Sequence, residues 1–342
     1  MQKLLSEYKI KDVTLKNRVV MPPMCMYKAK EDGKVTDFHL THYGARAIGG
    51  VGLIITEATG VEARGRITDN DLGLWSDEQI QGHKAVVDLC HSFSSKIAVQ
   101  LAHAGRKSIC TQSTPIAPSA LQFAKEGGFK LPHALHVKEI EELKDSFLSA
   151  AKRAKEAGYD VLEIHAAHGY LLFEFLSALT NIRDDNYGGS LENRCRLTLE
   201  ICKSILEKVD LPLIVRISAD EWVDDGWSID DTVYLSKELK TIGVSMMHVS
   251  AGGNHAVQPN MPELKALYQA SYAKEVSKQA NIPTIAVGLI TTAQEAEELL
   301  ENGTCELVAY GRELLRNPNL VQFVAKEYGQ RDFIDSSYLR AF

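Results

Sequence analysis

Cysteine is sparse and dispersed in this chain. The six residues Cys25, Cys90, Cys110, Cys195, Cys202 and Cys305 include no C-x-x-C pair. That spacing argues against a zinc ribbon, an iron–sulfur cluster or a disulfide framework, and suits reduced thiols. Positive charge is also short: 38 Lys and Arg face 45 Asp and Glu, leaving a net charge of -7. A nucleic-acid surface would normally carry the opposite sign. No apolar run approaches the roughly 18 residues that a membrane-spanning helix needs. The stretch Met1 to Lys16 lacks the basic start and apolar core of a secretory signal. Linkers, repeats and low-complexity tracts are absent, and so is a G-x-G-x-x-G turn opening an early helix, which a doubly wound dinucleotide fold would want. The expectations are a cytoplasmic protein with no nucleic-acid or membrane partner and no metal, forming one domain over residues 1–342.

What is present is alternation. The 342 residues are 45% apolar and 24% charged, ordinary for a globular chain of one large core. Short runs rich in Val, Ile and Leu recur at Arg18–Met21, Val51–Ala58, Ile97–His103, Val161–His165, Leu213–Ser218, Met246–Ser250, Thr284–Gly288 and Leu307–Tyr310. Near-continuous apolarity over such lengths marks strands of a parallel sheet buried on both faces. Amphipathic stretches separate them. Capping boxes stand at Ser76–Gln79 and Thr292–Glu295, and Ser190 and Ser228 are further caps. Ile140, Leu143, Phe147, Ala151 and Ala154 repeat at helical spacing before Gly158. Strand and helix alternating eight times predict a (β/α)8 TIM barrel. Tyr8–Ile10 and Val13–Leu15 read as an N-terminal hairpin covering the barrel floor. Ala104–His136, with its prolines and glycines, is too long for a plain loop after the third strand and reads as a lid or rim.

Chemistry in such barrels sits at the C-terminal ends of the strands. There the sequence concentrates polar groups: Pro22-Pro23-Met24-Cys25-Met26-Tyr27, Glu57-Ala58, Gln100 to His103, His165-Ala166-Ala167-His168-Gly169-Tyr170, Arg216 to Asp220, Gly288, and Gly311-Arg312. Gly288 and Gly311 allow a phosphate to approach backbone N–H groups, with Arg312 adding charge; an ordinary glycine turn with a surface arginine is the alternative. His165 and His168 converge only if the chain turns after His165. They then form an oxyanion clamp, a metal pair lacking a third ligand, or structural histidines. Tyr170 can deliver a proton. Arg216 needs an anionic partner, either a ligand edge or a barrel carboxylate such as Glu57 or Glu163. Gln100 offers both donor and acceptor, and Cys25 is otherwise a small buried hydrophobe.

Taken together, Lys16 to Tyr27, Gln100 to Lys107, His165 to Tyr170 and Asp184 to Arg194 resemble, in order and spacing, the old yellow enzymes. The Cys25/Tyr27 pair and the double histidine resemble the bacterial thermophilic-like subgroup of NADPH dehydrogenases. The resemblance covers essentially the whole chain and implies FMN as cofactor, with NADPH or NADH as hydride donor. It implies flavin contacts from Pro22, Pro23, Met24, Cys25, Ala58, Gln100, Arg216, Gly288, Gly311 and Arg312. Arg216 would face the electron-rich N1–C2=O edge of the flavin, and Cys25 would tune it.

The substrate-binding residues implied are Tyr27, His165, Ala166, Ala167, His168 and Arg340. The two imidazoles hold the oxygen of an activated alkene and Tyr170 protonates it; Cys25 joins Tyr170, His165 and His168 as a catalytic residue. Kinship implies a homodimer or homotetramer in which Arg340 reaches a neighbouring active site. The tail, though, reads Arg340-Ala341-Phe342, where a bulkier aromatic is usual. A branch of the family with clustered cysteines and a second nucleotide-binding domain does not fit this sequence. Two rivals are weighed against this reading. A sugar-phosphate isomerase or aldolase would need a base or Schiff-base lysine at a strand end, and a flavoprotein that merely stores FMN would not need the two histidines and Tyr170.

Overall fold

The computed structural model describes residues 2–342. An antiparallel hairpin, β1 (Tyr8–Ile10) and β2 (Val13–Leu15), opens the chain. Then follow β3 (Val19–Met21), α1 (Asp37–Ile48), β4 (Leu53–Gly60), α2 (Ile80–Ser92), β5 (Lys96–Ala102), β6 (Ile116–Ala117), β7 (His133–Ala134) and α3 (Val137–Ala157). The chain continues through β8 (Val161–Ala166), α4 (Leu171–Leu176), α5 (Leu191–Lys208), β9 (Leu213–Ser218), α6 (Ile229–Ile242), β10 (Met246–Ser250) and α7 (Ala270–Ala280). It ends with β11 (Thr284–Ala286), α8 (Ala293–Glu301), β12 (Leu307–Ala309), α9 (Arg312–Arg316) and α10 (Leu320–Glu327). Strands β3, β4, β5, β8, β9, β10, β11 and β12 close into one parallel ring, the predicted (β/α)8 barrel.

The elements form where side-chain pattern and caps agree. The stripe Ile140, Leu143, Phe147, Ala151 and Ala154 of α3 is fully buried, and Gly158 ends the helix at φ +93°, a conformation costly for other residues. The Thr292 hydroxyl accepts from Glu295 N at 3.1 Å to start α8. Ser76 caps too, but a single 3-10 turn (Asp77–Gln79) intervenes before α2. The seventh strand stops two residues short of the predicted Gly288, because that glycine sits at φ +128°, outside strand geometry.

The barrel interior has two layers. The lower one is aliphatic, with Leu53, Ile55, Ala98, Val161, Ile214, Met246, Ile285 and Leu307 packed together, and Ile10 and Leu15 of the hairpin close its floor. Above lies a polar layer of Gln100, Glu163, His165, Arg216, His248 and Ser250, each at most 8% exposed. His165, Arg216 and His248 stand in register on adjacent strands. The segment 104–136 is ordered. It starts as a 3-10 turn (Gly105–Lys107), its limbs pair through β6 and β7, and Lys130 Nζ ties Cys110 O at 2.7 Å and Thr111 O at 3.0 Å.

Candidate active site

A cleft of about 300 Å³ opens at the C-terminal mouth of the barrel, lined among others by Pro22, Pro23, Met24, Arg216, Gly288, Gly311 and Arg312. Its size is at the small end for ligand sites. Gly288 is required by its backbone, and a Cβ there would also press on Gln269 at 3.1 Å. A Cβ on Gly311 would meet only Met24 Sδ and Pro22 Cγ, at 3.7 and 3.8 Å. Glycine at 311 therefore serves an open approach to the backbone rather than a strained turn. Ala58 stands in register with Gln100 and lines a separate small hollow with Tyr170.

Arg216 decides what kind of ligand the cleft takes. Its side chain is buried, its Nε has no hydrogen-bond partner, and its one side-chain hydrogen bond among the described residues runs from Nη1 to Pro23 O at 3.5 Å. Neither barrel carboxylate named as an alternative partner forms an ion pair with it among the described residues, although the charge of Glu163 acts on it. Glu163 accepts from Gln100 Nε2 at 2.8 Å and from His248 Nδ1 at 2.7 Å. Glu57 accepts from Met26 N at 2.9 Å and Tyr43 Oη at 3.1 Å. A buried, unpaired guanidinium is costly. An anionic ligand edge in the cleft fits it, as the pyrimidine edge of a reduced flavin would.

Glu57 also positions the loop after β3. The β4–β5 register slips between Thr56 and Ala58, so Glu57 is the extra residue of a bulge, and such bulges re-aim side chains. Its carboxylate then receives the Met26 amide next to Cys25. Burial pushes Glu57 up to about 7 from 4.5. Burial likewise raises the Cys25 thiol, so it stays protonated. Tyr27 is 44% exposed, at φ +55°.

The predicted turn after His165 is present. Strand β8 ends at Ala166, and His168 and Gly169 adopt φ +58° and +70°. The two imidazole rings come within 5.3 Å, and Tyr170 packs 4.9 Å from His165. Burial, followed by the charge of Arg216, holds both histidines well below 6.5, so they are neutral. Their nitrogens are sorted by partners. His165 Nδ1 accepts from Ala167 N at 3.3 Å, which leaves the proton on Nε2. His168 Nε2 lies 2.8 Å from Ser250 Oγ, which in turn lies 3.0 Å from Gln269 Oε1. Burial raises the Tyr170 hydroxyl, keeping it a phenol. The metal reading of the pair gains nothing, since no third ligand joins it among the described residues.

Arg340 is not brought to this mouth. It lies in an exposed 3-10 turn (Leu339–Ala341), followed by Phe342 packed 4.9 Å from Phe323. Sequence reasoning missed Ser250, Gln269 and Lys107. Ser250 ends the sixth barrel strand, where a lone serine carries no signal of its own. Lys107 Nζ reaches the carbonyls of His168 and Gly253, at 2.9 Å each, across more than sixty residues of sequence, and nothing local announces it.

A parallel barrel with an anion-seeking arginine in its mouth and two neutral imidazoles beside a buried phenol defines a flavin-dependent oxidoreductase. The comparisons with known proteins agree. A profile of the NADH:flavin oxidoreductase / NADH oxidase family matches residues 3–330. The NADPH dehydrogenase of Listeria monocytogenes serotype 4b is 47% identical over 343 residues, 100% of both chains. Morphinone reductase superposes with a TM-score of 0.82 at 30% identity, over 95% of this chain and 90% of that one. The old yellow enzyme homologue of Zymomonas mobilis gives 0.82 at 27%, over 95% and 93%. The chain belongs to the old yellow enzyme family of NADH:flavin oxidoreductases. Its cofactor is FMN and its electron donor a reduced nicotinamide. Among the described residues, no helix is long and apolar enough to cross a membrane.

Proposed function

We propose that the chain, working as one FMN-binding barrel unit, is an NADPH-dependent ene-reductase acting on α,β-unsaturated carbonyls and related small activated alkenes. The observation that carries this reading is the neutral His165/His168 pair beside the buried phenol of Tyr170. Bound FMN would supply the redox chemistry, taking hydride from NADPH and returning it to the β-carbon of the acceptor in a ping-pong cycle.

The protein's residues do the rest. Pro22, Pro23, Met24, Cys25, Ala58 and Gln100 would form the bed for the ring. Arg216 would answer its negative edge, and Gly288, Gly311 and Arg312 would receive the phosphate. His165 donates Nε2–H to the acceptor's carbonyl oxygen. For His168 to be the second donor through Nδ1, its Nε2 must accept. That requires the Ser250 hydroxyl to turn from Gln269 toward His168, with the Gln269 amide reversed to donate to Ser250. Ser250 and Gln269 thus set the tautomer. Two neutral donors aimed at one oxygen stabilise charge that grows there only as hydride arrives. Tyr170 gives its proton to the α-carbon, Ala166 and Ala167 leave room beside the histidines, and Tyr27 lines the pocket. The same reading extends to a cytoplasmic homodimer or homotetramer in which Arg340, exposed in the single chain, reaches a neighbour's mouth.

The test is a spectrum of the purified protein, followed by anaerobic mixing with NADPH and then with 2-cyclohexenone. Bleaching of the flavin bands and their return are expected, with label from deuterated NADPH at the β-carbon of the product. Bleaching without return on the enone, but with return on quinones or nitro compounds, would favour a quinone- or nitro-reducing flavoprotein.

A further inference from the structure

Away from the barrel mouth, where the return limb of the 104–136 segment meets α3, His133, His136 and Glu139 converge. Each offers one ligand atom, and these atoms all lie within 4.8 Å of one another. We propose that this cluster is a surface site for a borderline divalent transition-metal ion of the Zn2+ type.

The backbone arranges the three ligands in advance. His133 is held on β7 by its N–H to Pro115 O at 2.8 Å. His136 is the N-cap of α3, and its N–H donates to Glu139 Oε2 at 2.8 Å. That hydrogen bond fixes the carboxylate at the third helical position. His133 Nε2 already meets both carboxylate oxygens, at 2.8 and 3.0 Å.

An ion pair and a reciprocal capping box between His136 and Glu139 hold the three side chains in place. Neither requires two imidazoles to converge on one carboxylate, since Ser, Thr, Asp or Asn is the favoured residue at an N-cap. A metal that takes nitrogen and oxygen ligands at about 2.0–2.2 Å in tetrahedral array needs donor atoms roughly 3.3 Å apart. The contraction from at most 4.8 Å is within reach of side-chain rotation, because the His133 and Glu139 side chains remain 42% and 27% exposed. Two imidazoles and one carboxylate suit Zn2+, Cu2+ or Ni2+ rather than Mg2+ or Ca2+. Three protein ligands leave further positions to water. Binding of the ion would lock the outer limb of the lid segment onto α3.

The test is calorimetric titration of the FMN-loaded protein with Zn2+, and with Mg2+ in parallel. One Zn2+ per chain is expected, with little heat from Mg2+. His133→Ala and Glu139→Gln should each weaken Zn2+ binding by about tenfold or more. His133→Asn, which keeps a polar side chain on the strand, should do the same. All three variants should keep the wild-type flavin spectrum and rate of NADPH oxidation, which shows that they are folded. Absence of Zn2+ binding in the wild type overturns the site, and so does binding undiminished in the variants, as would occur if the Cys25 thiol held the ion.

Discussion

The ammonium group of Lys107 stands 5.0 Å from the ring centroid of Tyr170 while donating to the carbonyl oxygens of His168 and Gly253. A cation on that ring stabilises the phenolate that forms as the proton leaves. Lys107→Met should therefore slow acceptor reduction and leave reduction by NADPH near the wild-type rate. Burial lowers Lys107 from 10.5 to about 8. It loses its charge as pH rises through that value, so acceptor reduction in the wild type should decline above about pH 8. The Met variant should lack that limb. An identical alkaline limb in both proteins would remove Lys107 from the mechanism.

Tyr170→Phe deletes the proposed proton donor while keeping the ring that packs on His165. The acceptor half-reaction should fall by about 10²–10⁴, the usual contribution of a positioned acid. Flavin reduction by NADPH should be unchanged. Rapid mixing of each half-reaction separately distinguishes the two, and an equal loss in both would contradict the assignment.

His165→Ala removes one of two donors to the developing oxyanion. Its expected cost is about 2.7–4 kcal/mol in the barrier, a loss of about 10²–10³ in the acceptor half-reaction. Because the wild-type imidazole is held well below 6.5, acceptor reduction should show no inflection near pH 6.5. A clear histidine-like inflection there would mean that the ring is charged in the resting enzyme.

Ser250→Ala cuts the only described hydrogen bond to His168 Nε2. The His168 ring is then free to carry its proton on either nitrogen. A phenol bound through its oxygen should bind more weakly, with flavin content and spectrum retained. Equal phenol affinity in wild type and variant, measured by perturbation of the flavin bands, would show that Ser250 does not control the tautomer.

Glu57 gives a stability test. Its folded value of about 7 lies above its ordinary 4.5. Its contribution is therefore complete below about pH 4.5 and is lost as pH rises through 7. In the wild type the unfolding midpoint should drift downward between pH 5 and 7.5, and in Glu57→Gln the drift should be shallower. Glu174, raised by burial to about 8, keeps part of the slope in both proteins. Superimposable pH profiles would contradict the burial of an ionisable Glu57.

The barrel was legible because its strands are buried on both faces. Val161, Leu162 and Ile164 leave no exposed side to break the apolar run. Strand ends were read less well wherever backbone conformation, rather than side-chain type, ended the strand, as at Gly288. The candidate site was legible as far as strand ends carry polar residues, which covers Arg216, His165 and Gln100. The network beneath was not. Glu163 bridging Gln100 and His248 joins three strands, and no spacing within one segment encodes that link. The His133–His136–Glu139 cluster straddles a strand, a cap and a helix, so neither periodicity exposes it.

The account rests on a flavin lying across the barrel mouth with its acceptor facing the two imidazoles. A crystal structure of the FMN-loaded protein with a simple phenol tests this most directly. The expected result has the pyrimidine edge against Arg216, the phosphate at Gly288, Gly311 and Arg312, and the phenol oxygen within hydrogen-bond distance of His165 Nε2 and His168 Nδ1. A flavin seated elsewhere, or a phenol oxygen turned away from both histidines, would contradict it.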